Sequence, residues 1–431
     1  MEQKNTTLII MSAGESSRFC KKSRVKKHWI RIFGTPLWLF VANELQNRYK
    51  FYKVIITANA NEADYMRRFC DFEIVNGGKS RQESLQNALK SVKSEFVAVS
   101  DAARFGLDFA VLDRLFSLDL SEVDCAIPTL DVADTIFMEC DGEKKYVNRS
   151  AFKLVQTPQI SRLSVLKEAL KLGEFSDESS AINAFKGRIR CIKGSHKLHK
   201  LTHFEDLEAI LASLGDFKDF QNLQNPQDLP QNRPFISQNQ TQNLSQNHPL
   251  NMQNLPQIPR IRTNLQNLNE TFIGLGFDTH RFCRDKQMVL CGVKIKSEFG
   301  LEAHSDGDVA LHALCDALLG GIGAGDIGEW FPPDDISFKN ADSTILLRKI
   351  VDFVESVGFC VVNVDMMILA EIPKITPYKS KMIATLSEIL QLPRNRINIK
   401  ATTMEQMGFV GRKEGICAKA VVSLRMQDLS L

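Results

Sequence analysis

Two groups of residues in this 431-residue chain have types and spacings that can do chemistry. Asp278 and His280 stand two apart behind an apolar run, so a strand would turn both side chains to one face. His304-Ser305-Asp306-Gly307-Asp308 and then His312 follow. Ser305 or Asp306 can cap a helix there, which would place His312 about two turns in. Three of the eight histidines fall within the 33 residues from His280 to His312. One carboxylate and two imidazoles with an open fourth position match a catalytic zinc site, although spacing alone leaves structural histidines as the alternative. The second group follows the apolar run Thr7–Met11, which ends in Ser12-Ala13-Gly14-Glu15-Ser16-Ser17-Arg18. A small-residue turn at a strand end lets backbone N–H groups approach phosphates, and Arg18, Lys26 and Lys27 can add charge. A plain strand-to-helix turn would read the same way. Asp101, at the end of the run Phe96–Ser100, can hold Mg²⁺ against a triphosphate.

The elements that must carry these residues alternate. Thr7–Met11, Lys53–Thr57, Glu95–Ser100 and Asp124–Pro128 are short, apolar and β-branched, with helical patterns between them at Arg81–Ser91 and Phe109–Leu118. This is the pattern of a parallel α/β sheet, whose ligand crevice lies beyond the C-terminal ends of its strands. From Gln221 to Asn269 the composition collapses to Gln, Asn, Pro and Leu, and six of the fourteen prolines fall there. Such a segment buries too little apolar surface to offset its ordering entropy and reads as a linker. Beyond it, strands are expected at Phe272–Phe277, Val361–Leu369, Ile397–Ala401 and Ala418–Arg425. Helices are expected at Val309–Leu319, Asp342–Val357 and Lys381–Leu390, giving an α+β domain. The predicted organisation is residues 1–215, a linker at 216–270, and residues 271–431, with halves able to act when expressed apart.

Composition excludes several classes. A net charge of +3 supplies no basic field for nucleic acid. No run approaches the ~20 apolar residues of a membrane span, and the short run at residues 8–11 is no signal segment. Ten cysteines without a C-x-x-C pair suit reduced thiols and a cytoplasmic protein.

Read jointly, the motifs of residues 1–212 resemble 2-C-methyl-D-erythritol 4-phosphate cytidylyltransferases, whose domain is a Rossmann-like nucleotidyltransferase fold. The markers are Ala13-Gly14, Arg18, Lys27, Gly77-Gly78, Arg81, Ser84, Asp101-Ala102-Ala103-Arg104, Asp134-Thr135, Thr157-Pro158-Gln159 and Lys200-Leu201-Thr202. The resemblance implies that Arg18 and Lys27 stabilise the transition state at the α-phosphate of CTP. It implies that Ala13, Gly14, Gly77, Gly78, Arg81, Ser84, Asp101 and Arg104 contact the nucleotide and its Mg²⁺, while Thr135, Arg149 and Lys200 hold methylerythritol phosphate. The turn departs from the family at Ser16, where a second glycine is usual, and Lys79 stands where an acidic residue is common.

Residues 272–431 resemble 2-C-methyl-D-erythritol 2,4-cyclodiphosphate synthases through Gly276-Phe277-Asp278-Thr279-His280, His304–Asp308, Gly325-Asp326-Ile327-Gly328 with Phe331, and Ala401–Arg412. That resemblance implies Zn²⁺ (or Mn²⁺ or Co²⁺) on Asp278, His280 and His312, and His304 and Thr403 at the transition state. Ser305, Asp326, Ile327, Gly328 and Phe331 would contact the methylerythritol end. Ala370, Pro373, Lys374, Ile375 and Thr376 would form a cytidine pocket. Thr402, Met404, Glu405, Phe409 and Arg412 would meet the diphosphate, with Mg²⁺ on Glu405. The family relationships further imply trimeric C-terminal domains, dimeric N-terminal domains and a separate kinase, since the first product must be phosphorylated before it can be cyclised. Two alternatives differ in kind: a nucleotidyltransferase for another polyol phosphate, and a degenerate nucleotide-binding or assembly module fused to a working cyclase.

Overall fold

The computed structural model describes residues 3–207 and 270–427, apart from residues 33, 141, 333, 336, 337, 339 and 340. The linker read at 216–270 lies, but for its last residue, outside them. In the first half, Thr6–Met11 forms the centre of a sheet, paired in parallel with Lys53–Ala58 on one side and Phe96–Asp101 on the other. Both faces of this strand are covered, which is why its sequence is apolar without alternation. Leu8 and Ile10 pack in one layer with Leu37–Tyr49 and Phe109–Phe116. Ile9 packs in the other with Arg81–Leu89, Leu163–Ala169 and Glu178–Ala184. Glu73–Asn76 extends the sheet in parallel.

The four strands expected from the sequence run parallel to one another, and antiparallel strands join them on the far side. Gln159–Arg162 inserts antiparallel between Phe96–Asp101 and Cys125–Asp131. It is reached directly from Lys153–Val155, itself antiparallel to Cys125–Asp131. With only three residues between them, Gln159–Arg162 continues in the direction of Lys153–Val155, on the other side of Cys125–Asp131. The sheet is therefore mixed. A two-stranded arm, Ile136–Cys140 with Glu143–Val147, stands off it and exposes Phe137 and Tyr146.

In the second half, Thr271–Cys283, Gly415–Met426, Phe359–Leu369 and Ile397–Thr402 form consecutive neighbours in a five-stranded sheet, edged by Gly300–Leu301. Helices Val309–Ile322, Ser343–Ser356 and Lys379–Leu390 supply its core with buried Leu, Ile, Val and Phe. Strand alternation leaves Ile273, Leu275, Phe277 and Val421 exposed. Among the described residues, no helix is long and apolar enough to cross a membrane.

The two halves also pack on each other, a contact that two tethered, independent units do not require. Trp29 lies 5.3 Å from Tyr65, and Tyr65 lies 5.4 Å from Phe353 of the second half. Tyr65 donates its hydroxyl to the Ile322 carbonyl at 3.0 Å, and Arg68 donates to the Gly323 carbonyl at 2.7 Å. These two carbonyls close helix Val309–Ile322, so first-half side chains satisfy its free C-terminal acceptors. Arg24 pairs with Glu355, and Lys26 N–H donates to the Ser356 carbonyl at 3.0 Å.

Two glycines set how closely that helix lies on its sheet. A Cβ built at Gly276 would stand 1.8 Å from the Ala313 carbonyl oxygen, and one at Gly274 1.8 Å from that of Ala317. Gly276→Ala must push helix and strand apart, and overpacking of this kind costs about 1–3 kcal/mol or more. The expected outcome is a lower urea midpoint at unchanged m-value; an unaltered unfolding curve would contradict the contact.

Candidate active sites

The first site is a cleft of about 550 Å³ at the C-terminal ends of the parallel strands, where such sheets place ligands. Its walls include Ser12–Glu15, Lys27, Gly77–Arg81, Ser84, Asp101–Ala103 and Lys200. Three loops meet closely here. A Cβ at Gly77 would lie 2.4 Å from Ala13 Cβ, so glycine is required where the two loops touch. Ser84 Oγ accepts from Gly78 N–H at 2.9 Å and donates to the Ser80 carbonyl at 2.8 Å, which fixes the glycine pair.

Asp101 is buried at the cleft floor with Lys200 Nζ at 2.7 Å, Arg81 Nε at 3.6 Å and Arg104 Nε at 3.9 Å. Burial pushes its carboxyl up, but these cations outweigh burial and hold it below the usual carboxylate range. Lys27 shows the reverse. Burial, then Lys200 and Arg18, lower its pKa to about 8 against the opposing pull of Asp101 and Asp206. An anion bound beside Lys27 would offset both its burial and the neighbouring cations.

Ser16, the residue in place of the family's second glycine, takes the glycine-like conformation at φ 57°. A non-glycine residue there costs roughly 1–2 kcal/mol. Its hydroxyl offsets this by accepting from Lys27 N–H at 3.3 Å, a bond glycine cannot make. Lys79, the other departure, is anchored through its backbone N–H to Glu83 at 2.7 Å.

Not every expected residue enters the cleft. Arg18 is exposed at its rim. Arg104 is turned away, donating to the Leu198 carbonyl at 2.6 Å, and so ties the Lys200 segment to the Asp101 loop. Thr135 and Arg149 are exposed at the base of the arm, where Arg149 bonds the Ala133 carbonyl.

The second site is built on one strand and one helix. Asp278 Oδ2, His280 Nε2 and His312 Nδ1 form a triangle with each pair 3.0 Å apart. An ion with bonds of ~2.0–2.1 Å in tetrahedral geometry separates its ligand atoms by roughly 3.3 Å. The triangle therefore fits a divalent ion after a shift of a few tenths of an ångström. Against the opposing effect of burial, the two imidazoles hold the Asp278 carboxyl well below the usual carboxylate range. His312 Nε2 lies 3.0 Å from Ser305 Oγ and 3.1 Å from Ser343 Oγ. These hydroxyls orient the ring so that Nδ1 faces the triangle.

The expected cap is corrected. Asp308, rather than Ser305 or Asp306, caps helix Val309–Ile322, accepting from Leu311 N–H at 3.0 Å. It is fully buried and also accepts from Cys291 N–H and Gly292 N–H at 2.9 and 2.7 Å, so it alone satisfies three backbone donors. His312 thus sits one turn into the helix. Ser305 serves the imidazole instead, and Asp306 accepts from Ser343, two roles that sequence spacing does not distinguish from capping.

Asp326 caps the short helix Ile327–Trp330, and Asp316 accepts from Ile327 N–H at 2.8 Å, which fixes the loop carrying Ile327 and Gly328. Phe331 packs on Phe338. His304, Thr403 and Glu405 are exposed, with Thr403 donating to Glu405 at 2.8 Å.

Strands Phe359–Leu369 and Ile397–Thr402 run parallel with Leu369 opposite Thr402, so the loops at 370–376 and 402–412 leave the same sheet edge. Glu371, which no motif reading singled out, binds them together by accepting from Met404 N–H and Gln406 N–H at 3.0 and 3.1 Å. Ala370 and Ile375 are buried there, Pro373 is half-buried, and Lys374, Thr376, Thr402, Phe409 and Arg412 are exposed, with Met404 half-buried. Arg412 pairs with Glu414 at 2.7 Å. Among the described residues, these loops bond to each other and not to the triangle.

The same division appears in comparisons with known proteins. Residues 6–215 match the family described as 2-C-methyl-D-erythritol 4-phosphate cytidylyltransferase, and residues 271–425 match the YgbB family. The chain is 41% identical over 426 residues to the bifunctional enzyme IspD/IspF of Wolinella succinogenes, covering 98% of this chain and 97% of that one. It is 39% identical over 421 residues to the bifunctional enzyme IspD/IspF of Campylobacter fetus, covering 97% of each. The solved structure of the bifunctional IspDF from Campylobacter jejuni superposes with a TM-score of 0.73 at 38% identity, covering 99% of both chains. With both domains matched in order and relatives aligned from end to end, the chain belongs to the bifunctional IspD/IspF enzymes, joining a 2-C-methyl-D-erythritol 4-phosphate cytidylyltransferase to a 2-C-methyl-D-erythritol 2,4-cyclodiphosphate synthase.

Proposed function

We propose that the cation-rich cleft around Asp101 binds CTP and methylerythritol phosphate, and that the Asp278–His280–His312 triangle is the metal centre of the cyclase. The observation that carries this reading is the depressed, cleft-facing Lys27 beside Lys200 and Asp101. Ala13 and Gly14 present backbone to the phosphates, and Gly77, Gly78, Arg81 and Ser84 form the cytosine pocket. Lys27 and Arg18 stabilise charge that builds on the α-phosphate as the methylerythritol phosphate oxygen attacks and diphosphate leaves. Asp101, kept ionised by its cations, suits the Mg²⁺ that accompanies nucleotide phosphates. Arg104 acts here by holding the Lys200 segment. Thr135 and Arg149 stand outside the cleft of their own chain, which supports a dimer in which the arm of one copy completes the cleft of the other.

In the second half, the donor set of one carboxylate and two imidazoles suits zinc or a similar divalent ion. Such an ion supplies Lewis acidity and neutralises diphosphate charge. The residues around it hold the substrate so that its 2-phosphate faces its own β-phosphate and CMP can leave. Glu405 suits the Mg²⁺ of the diphosphate, and Thr403 is placed by Glu405. The separation of the 370–376 and 402–412 loops from the triangle supports a trimer in which neighbouring copies contribute the cytidine pocket. The exposed apolar face of Ile273, Leu275 and Phe277 suits burial between those copies. Reduced cysteines and small phosphorylated substrates support a cytoplasmic enzyme served by a separate kinase.

Paired variants test the assignments. Lys27→Ala should lower CTP-dependent transfer by about 10²–10³-fold or more and spare cyclisation. His312→Ala should lose bound metal and cyclisation together and spare transfer. Elemental analysis with separate diphosphate-release and CMP-release assays reads both; a folded His312→Ala protein with full metal occupancy contradicts the metal reading.

A pH profile gives a second check. Protonated Lys27 is needed and its pKa is about 8, so the active fraction falls as pH rises through that value. The kcat/KM for CTP should decline above pH of about 8, and the limb should vanish in Lys27→Arg. A flat profile to pH 10 would remove Lys27 from the role.

A further inference from the structure

Glu62 is a carboxylate that neither reaction uses, and it is 1% exposed. It lies in the first turn of helix Ala60–Arg67, which flanks the cleft. Its Oε1 accepts from Lys26 Nζ at 2.6 Å. Its Oε2 accepts from Trp29 Nε1 at 2.7 Å and lies 2.6 Å from His28 Nε2. A buried carboxylate is tolerated only when such partners replace its water. Burial pushes the Glu62 carboxyl up, but His28 and then Lys26 outweigh it and hold it down at about 2. Lys26 is shared with Glu15 of the phosphate-binding turn, at 2.8 Å.

The partners of Glu62 are residues 26, 28 and 29, and the residue they bracket is Lys27. Lys27–Trp29 is a three-residue 3₁₀ turn, too short to hold a shape by itself. Its flanks are drawn to Glu62 on one side. Lys27 leaves on the other, its Nζ donating to the Leu201 carbonyl at 3.1 Å inside the cleft. At the back, Ser356 of the second half receives Lys26 N–H.

Resting on the reading of Lys27 given above, we propose that Glu62 is a positioning residue for cytidylyl transfer: by gathering Lys26, His28 and Trp29 it fixes the turn that aims Lys27 at the nucleotide. The carboxylate touches no substrate and acts through the turn alone.

The full-length Glu62→Gln protein tests this. Glutamine keeps the size and can still accept from Trp29, but it loses the charge that holds Lys26. The expected result is a fall in kcat for transfer of about 10–100-fold, since misplacement by ~1 Å can cost 10²-fold, with KM for CTP changed by less than about threefold. Cyclisation stays at the wild-type rate. The alkaline limb of the transfer profile moves upward from about 8, because a displaced Lys27 leaves its burial and its neighbours Lys200, Arg18, Asp101 and Asp206.

Wild-type kcat with an unmoved limb overturns the proposal. Equal loss of both activities with a lowered unfolding temperature also overturns it, by showing a purely structural role. If Glu62→Gln does not fold, Trp29→Phe removes one donor to the carboxylate and decides in the same way. It should lower kcat for transfer severalfold with cyclisation intact, and wild-type kcat would overturn the proposal. Lys27→Ala run alongside separates the two ideas: an active Lys27→Ala enzyme defeats the reading of the cleft, whereas an inactive one beside a fully active Glu62→Gln defeats this proposal alone.

Discussion

The packing of helix Val309–Ile322 against strand Thr271–Cys283 is the constraint on which most of the molecule depends. The proposed metal triangle takes two corners from the strand and one from the helix. Its dimensions are therefore those of the strand–helix contact, set by Gly274 and Gly276 below and by Asp308 at the helix start. At the other end, Tyr65 and Arg68 of the first half close the helix. One helix thus carries His312 of the triangle at its N-terminal end and the inter-domain contact at its C-terminal end.

That contact reaches the first site through few intermediates. Helix Ala60–Arg67 presents Tyr65 to the second half and Glu62 to the turn of Lys27. Trp29 belongs to the same cluster, bonded to Glu62 and packed on Tyr65. The arrangement explains why Lys26 and Trp29 flank the lysine here: both side chains are consumed in fixing the turn and are kept from the cleft. Ser16 adds a backbone tie from the other direction. The strained residue and the buried carboxylate both converge on Lys27, which is where a half-buried ammonium of lowered pKa needs the most support.

Much of this was legible in the sequence, and what was not has physical causes. The runs expected as strands and helices appear within three residues of their predicted ends, save that the strand from Phe272 runs on to Cys283, because buried strands and amphipathic helices write their periods directly into the chain. The triangle was legible because all three ligands carry uncommon side chains in a short span. Gln159–Arg162 was not, since its direction continues that of the preceding strand Lys153–Val155 and is not written in its own residues. Ser343, Glu371 and Glu62 were missed because they act on partners 31 to 37 positions away in the chain, with ordinary residue types and no local pattern. Asp308 was passed over in favour of Ser305 and Asp306 because a cap is chosen by geometry among several eligible side chains. The exposure of Thr135 and Arg149 also lies beyond the reach of motif order, which carries no information on where a side chain stands in the fold.

The central claim is that one chain performs two reactions that are not consecutive. The most direct test follows phosphorus by NMR in a single reaction with the purified full-length protein, CTP, methylerythritol phosphate and divalent metal. The account predicts that CDP-methylerythritol and diphosphate accumulate and stop there. Adding the 2-phosphorylated intermediate to the same tube should then release CMP and form the cyclodiphosphate. Cyclodiphosphate arising before that addition, or either half-reaction failing in folded, metal-loaded protein, would contradict it.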